Sequence, residues 1–138
     1  MEQALSHRPT KTLHLALWGA QGLLALAFLG SGSAKATQPI AELAAQMSFV
    51  NYTPEALVRF IGVVEILGAL GLVLPSLTRI LPRLTPLAAL GLATVMLLAA
   101  GTHATHGELG MLPVNFTLGA IALFIAWGRG KASPIEAR

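Results

Sequence analysis

The chain has 138 residues, of which 54% are apolar and only 11% charged, with nine Lys plus Arg against six Glu for a formal charge of +3. Soluble domains carry about a quarter charged residues, so a mean hydropathy of +0.69 places this chain in a bilayer and excludes a nucleic-acid binder, which needs a clustered basic face in water. The absence of cysteine excludes disulfides, thiolate redox relays, Cys-ligated zinc and iron–sulfur clusters.

The first predicted span covers about residues 13–35, uncharged until Lys35 at its end. At about 1.5 Å of rise per residue it crosses a hydrocarbon core of about 30 Å. Arg8 and Lys11 before this stretch and Ala34-Lys35-Ala36 after it also have the form of a secretory signal peptide. The apolar run, however, exceeds the usual length of about 7 to 15 residues, so it is read as a span. Behind Pro39, the residues Ile40, Leu43, Ala44 and Met47 recur at helical spacing. They predict a short amphipathic helix over about 39–48, lying in the outer interface with Phe49 and Tyr52 as headgroup-level anchors. A second span runs over about 55–74, opened by Pro54 and closed by Pro75, because proline suits a first helical turn and cannot continue a helix. The third span covers about 85–106 with Pro86 near its start, and the fourth about 112–128 with Pro113 and Asn115 in its first turns. The expected fold is all-α: a polytopic membrane protein forming one membrane domain over 1–138, with four transmembrane helices in an antiparallel bundle.

Orientation follows from the basic residues that flank the spans. Arg8, Lys11, Arg79, Arg83, Arg129, Lys131 and Arg138 fall on one side, and only Lys35 on the other. Both termini are therefore expected in the cytoplasm. That orientation converts sequence position into depth: Lys35, Arg59, Glu65, His103, His106 and Asn115 come from four spans into the outer half, while the inner half offers only Gln21. A charged side chain at a helix centre costs about 2.5 to 3.5 kcal/mol on insertion scales, so each must face protein, water or a partner.

In the second span Arg59, Gly62, Glu65, Gly68 and Gly71 repeat every three residues, one of the ridges along which helices pack. The small residues predict close helix approach there, and Gly119 on a ridge with Asn115 predicts the same in the fourth span. Arg59 and Glu65 lie about 9 Å and about 120° apart on one helix, so each should find its partner on another span. Lys35 reads most simply as a rim lysine snorkelling to headgroups, an option open to Arg59 as well. Glu65 reads equally as a carboxyl that locks packing or as one that binds a ligand or carries a proton. His103 and His106 have i, i+3 spacing with Glu108 or Glu42 as a conceivable third ligand. An H-x-x-H without the glutamate of H-E-x-x-H is a weak metal signal, and no metal is expected. Asn115 and Gln21 read as interhelical hydrogen-bonding residues.

Three stretches together resemble DoxX-like membrane proteins: Gly30, Gly32 and Lys35 at the end of the first span; the second-span segment from Arg59 through Gly62, Glu65, Gly68 and Gly71 to Pro75; and the run from Leu84 followed by His103. The resemblance covers about residues 17–129 and is most specific in the second span. It implies a four-helix protein of the bacterial cytoplasmic (inner) membrane, in a family named for a subunit associated with thiosulfate:quinone oxidoreductase activity. Relatives are linked to membrane oxidoreductase complexes in redox-stress defence, and a distant animal branch assists receptor assembly. No agreed catalytic residues come with the family.

The expected function is a non-catalytic membrane subunit in which Arg59, Glu65, His103 and Asn115, with Lys35 and His106, bind a quinone-like ligand for a partner oxidoreductase. Such a headgroup needs hydrogen-bond donors and a proton-exchanging group near the interface. Two alternatives remain: a proton-coupled small-molecule transporter built around Glu65, and a structural or assembly factor in which Arg59 and Glu65 only fix helix packing. Beyond the bilayer, an oxidoreductase partner and a homo-oligomer are both compatible with the sequence; nucleic acid is not.

Overall fold

A computed structural model describes residues 10–138; Arg8, counted above toward the basic arm, lies outside them. Every regular element among the described residues is helical. Helix α1 (Lys11–Thr37) starts at Thr10, whose hydroxyl accepts the Leu13 N–H and so satisfies one of the orphan donors of a first turn. It ends where Gln38 turns extended ahead of Pro39. A short α2 (Ile40–Gln46) and a 3-10 turn (Ser48–Tyr52) lead to α3 (Glu55–Thr78), which begins behind Pro54. Arg79, in the left-handed conformation, caps α3 and turns the chain into α4 (Leu84–Thr105). A 3-10 turn (Leu109–Met111), α5 (Leu112–Trp127) and a π-helical turn (Gly128–Ala132) together form the last membrane-length segment.

Four segments are thus long and apolar enough to cross a membrane. They pack as an antiparallel ring in which α3 lies between α1 and α4, α4 against α5, and α5 returns to α1. The core holds Leu24 and Phe28 of α1, Leu72 of α3, Leu92 and Met96 of α4 and Ile125 of α5. Leu15, Leu26 and Leu97 point outward at 69%, 72% and 67% exposure. In water such a surface would aggregate; in lipid it is the expected outer face, because hydrocarbon is as apolar as leucine and helices associate through close packing instead.

The structure departs from the sequence expectation at the end of the second span. Helix α3 does not close at Pro75 but runs through it to Thr78, with Pro75 itself buried. Pro75 removes the N–H that would bond Gly71 O, a loss that a bundle tolerates through its neighbouring helices; one residue on, Leu72 O accepts from Gln21 Nε2 of α1 at 2.5 Å. The short amphipathic helix of the first loop forms as expected, with its apolar face turned onto the bundle. Leu43 is fully buried and joins Val50 and Val58 in a small core against Ala34 and Phe49, so α2 and its 3-10 turn close the end of the bundle as a lid.

Candidate functional site

Lys35 and Glu65 form the centre of the polar half. The ammonium donates to both carboxylate oxygens, at 2.9 and 3.1 Å, and to the Ser31 hydroxyl one turn back on α1. Glu65 is 2% exposed and Lys35 7%. Lys35 therefore does not snorkel to the rim: it turns inward to the one buried carboxylate within reach. Glycines make this contact possible. A Cβ on Gly32 would lie 2.7 Å from the Gly62 carbonyl, and one on Gly62 equally close to Gly32 O and Ala36 N, so the α1 and α3 backbones touch where the two charges meet.

The α3 ridge serves two neighbours. Each three-residue step turns the side chain back by about 60°, so the ridge winds around the helix. Gly62 faces α1, whereas Gly68 faces Leu92 and Gly71 faces Ala88 of α4. Gly119 sits opposite Met96 with ordinary van der Waals space, 3.5 Å for an added Cβ.

Arg59 does not join the pair. Its Nη1 donates to the carbonyls of Lys35 at 2.9 Å and Gln38 at 2.6 Å, and Nη2 to Glu55 at 3.2 Å. It thereby satisfies carbonyls at the C-terminal end of α1, where a cation also complements the helix dipole. The expectation that each charge finds its partner on another span holds for Glu65; Arg59 meets α1 through its backbone and a carboxylate on its own helix.

His103 is buried but turns to the α4–α5 connection, with Nδ1 2.5 Å from Glu108 Oε2. Tyr52 OH donates to the same oxygen at 3.0 Å. His106 is exposed and stacks on the Tyr52 ring at 3.7 Å between centroids. The hydrogen bonds from Ser48, His103 and Tyr52 hold the Glu108 carboxyl below its ordinary range. Burial, the hydrogen bond to Glu108 and its negative charge push the Tyr52 phenol up. An ionised Glu108 accepts only, so His103 Nδ1 carries the proton of this contact. Phe49 stands between the two charge pairs, its ring centroid 6.0 Å from Lys35 Nζ and 6.5 Å from the His103 ring. Phe49 and Tyr52, expected as headgroup anchors, also find partners within the protein, Phe49 half-buried and Tyr52 exposed. They tie the lid to α1 and to the α4–α5 turn, because aromatic and hydrogen-bonding partners are available within the protein.

Asn115 is buried, and its Nδ2 has no acceptor. Counting outward from Met96 opposite Gly119, and from Leu92 opposite Gly68, puts Asn115 level with Ala100 of α4 and Phe60 of α3. That is the layer between Arg59 and Glu65. The six residues singled out in the sequence therefore divide into the Lys35–Glu65 pair, Arg59 clamped on the α1 terminus, His103 and His106 in the lid contact, and Asn115 alone with a free donor. Among the described residues no three His or Glu side chains converge as a metal site would require.

The sequence reading reduced the opposite end of the bundle to Gln21. The structure puts a buried cluster there. Gly128 of the π turn sits against Leu17 so closely that a Cβ could not be accommodated without a shift, and this approach carries Arg129 inward to 3% exposure. Arg129 Nε donates to Gln21 Oε1 at 2.6 Å and Nη1 to Ser133 O at 3.0 Å, with Trp18 under the guanidinium at 5.3 Å. Arg129 had been counted as a tail charge. The signal for its burial was its position directly after Trp127 and Gly128, with no turn residue other than glycine to lead it away from the last span, together with His14, Trp18 and Gln21 spaced along one face of α1.

Comparison with known proteins gives one match: the family model for DoxX-like proteins covers residues 19–125. No curated relative and no solved structure matches the chain.

Proposed function

The chain belongs to the DoxX-like family, and on that footing we propose that it is a multi-pass subunit of a bacterial inner membrane that holds a quinone-like ligand for a partner oxidoreductase. Its basic end, with Lys11, Arg79 and Lys131, faces the cytoplasm by the positive-inside rule, and the lid faces outward. The observation that carries the reading is Asn115: a buried amide N–H without an acceptor is unfavourable inside a membrane protein unless something else accepts from it. A ring carbonyl at the level of Phe60, on the lid side of Glu65, fits that need, and Phe49 offers an aromatic wall beside Lys35. A quinone, when bound, supplies two-electron, two-proton chemistry. This chain's residues would orient its headgroup and keep bulk water out beneath the lid.

Transport is less well supported, because Lys35 already neutralises the one carboxylate buried in a span, leaving no free negative charge for a cationic substrate. The test uses the full chain in mild detergent. Mass spectrometry should find a quinone retained by the protein, and ubiquinone-1 should bind saturably. Asn115→Leu should abolish both while leaving the fold as stable as before or more so, since it removes an unsatisfied donor. Absence of retained quinone together with no saturable ubiquinone-1 binding rejects the reading.

A further inference from the structure

At the basic end the donors outnumber the acceptors. His14 lies between Arg129, with Nη1 3.2 Å from its Nδ1, and Trp18, with Nε1 3.1 Å from its Nε2. Neither arginine nor tryptophan can accept a hydrogen bond, and a neutral imidazole has one lone-pair nitrogen, so His14 can accept from one of them but not both. Gln21 gives no relief, because its oxygen is taken by Arg129 and its amide nitrogen by the Leu72 carbonyl. Arg129 Nη2 is buried with no partner. The ion pairs among the described residues are Lys35–Glu65, Arg59–Glu55 and His103–Glu108, none of which involves Arg129.

The charged donor is the stronger claimant on His14. With Nδ1 accepting from Arg129, Nε2 carries the imidazole proton, and two N–H groups, from His14 and Trp18, then confront each other with no acceptor between them. Both residues line an open cleft of about 440 Å³. Its other polar walls are Ser76, Arg79 and Glu136. Ser76 is engaged with Thr85 at 2.8 Å, and Arg79 is held at the mouth by a bond from Nε to the Glu136 carbonyl at 2.8 Å.

We infer that this cleft binds the phosphate group of an anionic ligand, which accepts from His14 Nε2–H and Trp18 Nε1–H on its floor and pairs with Arg79 at its mouth. Arg129 is a positioning residue that sets the His14 tautomer and adds positive charge behind it. An anionic oxygen that bridges the two N–H groups from the cleft side removes the donor conflict, and phosphate suits a site that combines a guanidinium with neutral N–H groups. The cleft lies at the end of the bundle, the depth at which lipid phosphates meet basic residues; a soluble phosphate compound would satisfy the same donors. The Glu136 carboxylate is the one acid of the lining and opposes binding. This site is separate from the Lys35–Glu65 layer at the other end, so the two proposals stand or fall apart.

The experiment uses the full chain in detergent with Trp127→Phe, which leaves Trp18 as the one tryptophan of the two present. Trp18 fluorescence is titrated with inorganic phosphate and, separately, with mixed micelles of phosphatidylglycerol or phosphatidylcholine. Native mass spectrometry counts the bound molecules in each case. A saturable response to phosphatidylglycerol alone identifies a lipid headgroup; a response that extends to inorganic phosphate identifies a soluble source. In either case Arg79→Gln, which removes the charge at this exposed helix cap and is compared with the parent for equal SDS resistance, and His14→Leu should each weaken binding about tenfold or more, the scale of one charge-assisted hydrogen bond. No saturable response to either phosphate, an equal response to phosphatidylcholine and phosphatidylglycerol, or unchanged affinity in both variants overturns the proposal.

Discussion

Replacing Lys35 by Met leaves the Glu65 carboxylate 2% exposed, about three turns into α3, with no route to water and no other cation bonded to it. Removing one partner of a buried pair in this way costs about 3 to 5 kcal/mol, mostly as the penalty for the charge left behind. The reverse change, Glu65→Leu, should be milder, about 1 to 3 kcal/mol. Lys35 lies in the last turn of α1, and its long side chain can swing outward once the carboxylate is gone. The double variant, Lys35→Met with Glu65→Leu, should return to within about 1 kcal/mol of the parent, since a well-packed apolar replacement of a buried pair is often neutral. Unfolding in mixed micelles as SDS is titrated measures all three against the parent. The expected signature is a double variant far more stable than the sum of the singles predicts, with the lysine variant the weakest of the set. If the single losses add in the double, or if the glutamate variant is the worse of the two, the pair does not hold α1 to α3 as described.

Other consequences follow from the lid and the helix contacts. Tyr52 is the sole tyrosine, so its absorbance titration in the native protein should have a midpoint above 10.0. The neutral phenol contributes stability that is complete below the unfolded value and lost as pH rises through the native one. Glu108→Gln should bring that midpoint down, and a native midpoint at or below 10.0 refutes the Tyr52–Glu108 contact. Glu108 has the opposite sign: held below 4.5, it contributes stability above that value which is lost as pH falls through its native pKa. Amide exchange in residues 48–52, corrected for intrinsic rates, should therefore rise in acid and no longer do so in Glu108→Gln; an unchanged exchange profile in the parent counts against the clamp. Gly62→Ala must move the α1 backbone and should destabilise by about 1 to 3 kcal/mol. Gly101→Ala meets nothing within 4 Å and should be neutral or stabilising by up to about 1 kcal/mol; the same SDS titration compares them, and equal costs would contradict the close α1–α3 approach.

Much of the architecture is legible in composition and spacing. Long uncharged runs must become helices in hydrocarbon, because no water is there to satisfy the backbone, and the prolines, glycines and basic residues mark most of their ends. The three-residue ridge of α3 likewise announces close contacts, since only glycine lets backbones approach as Gly32 and Gly62 do. What the ridge cannot announce is that it winds from α1 at Gly62 to α4 at Gly71, which depends on where the neighbouring helices stand.

The choice of partner for each polar side chain lies beyond the linear pattern. Lys35 reaches as far inward as outward, and its direction is settled by a carboxylate 30 positions away. Phe49 has the composition of a lipid anchor, yet it packs beside Lys35 and His103 once α2 folds onto Leu43 and Val58. Arg129 has the position of a topogenic tail charge, yet the close seat of Gly128 on Leu17 brings it to Gln21, 108 positions away. Hydropathy is a local sum over neighbouring residues and is written along the chain. A hydrogen bond or ion pair between helices needs two side chains to meet within about 3 Å, and that distance exists only after the helices have packed.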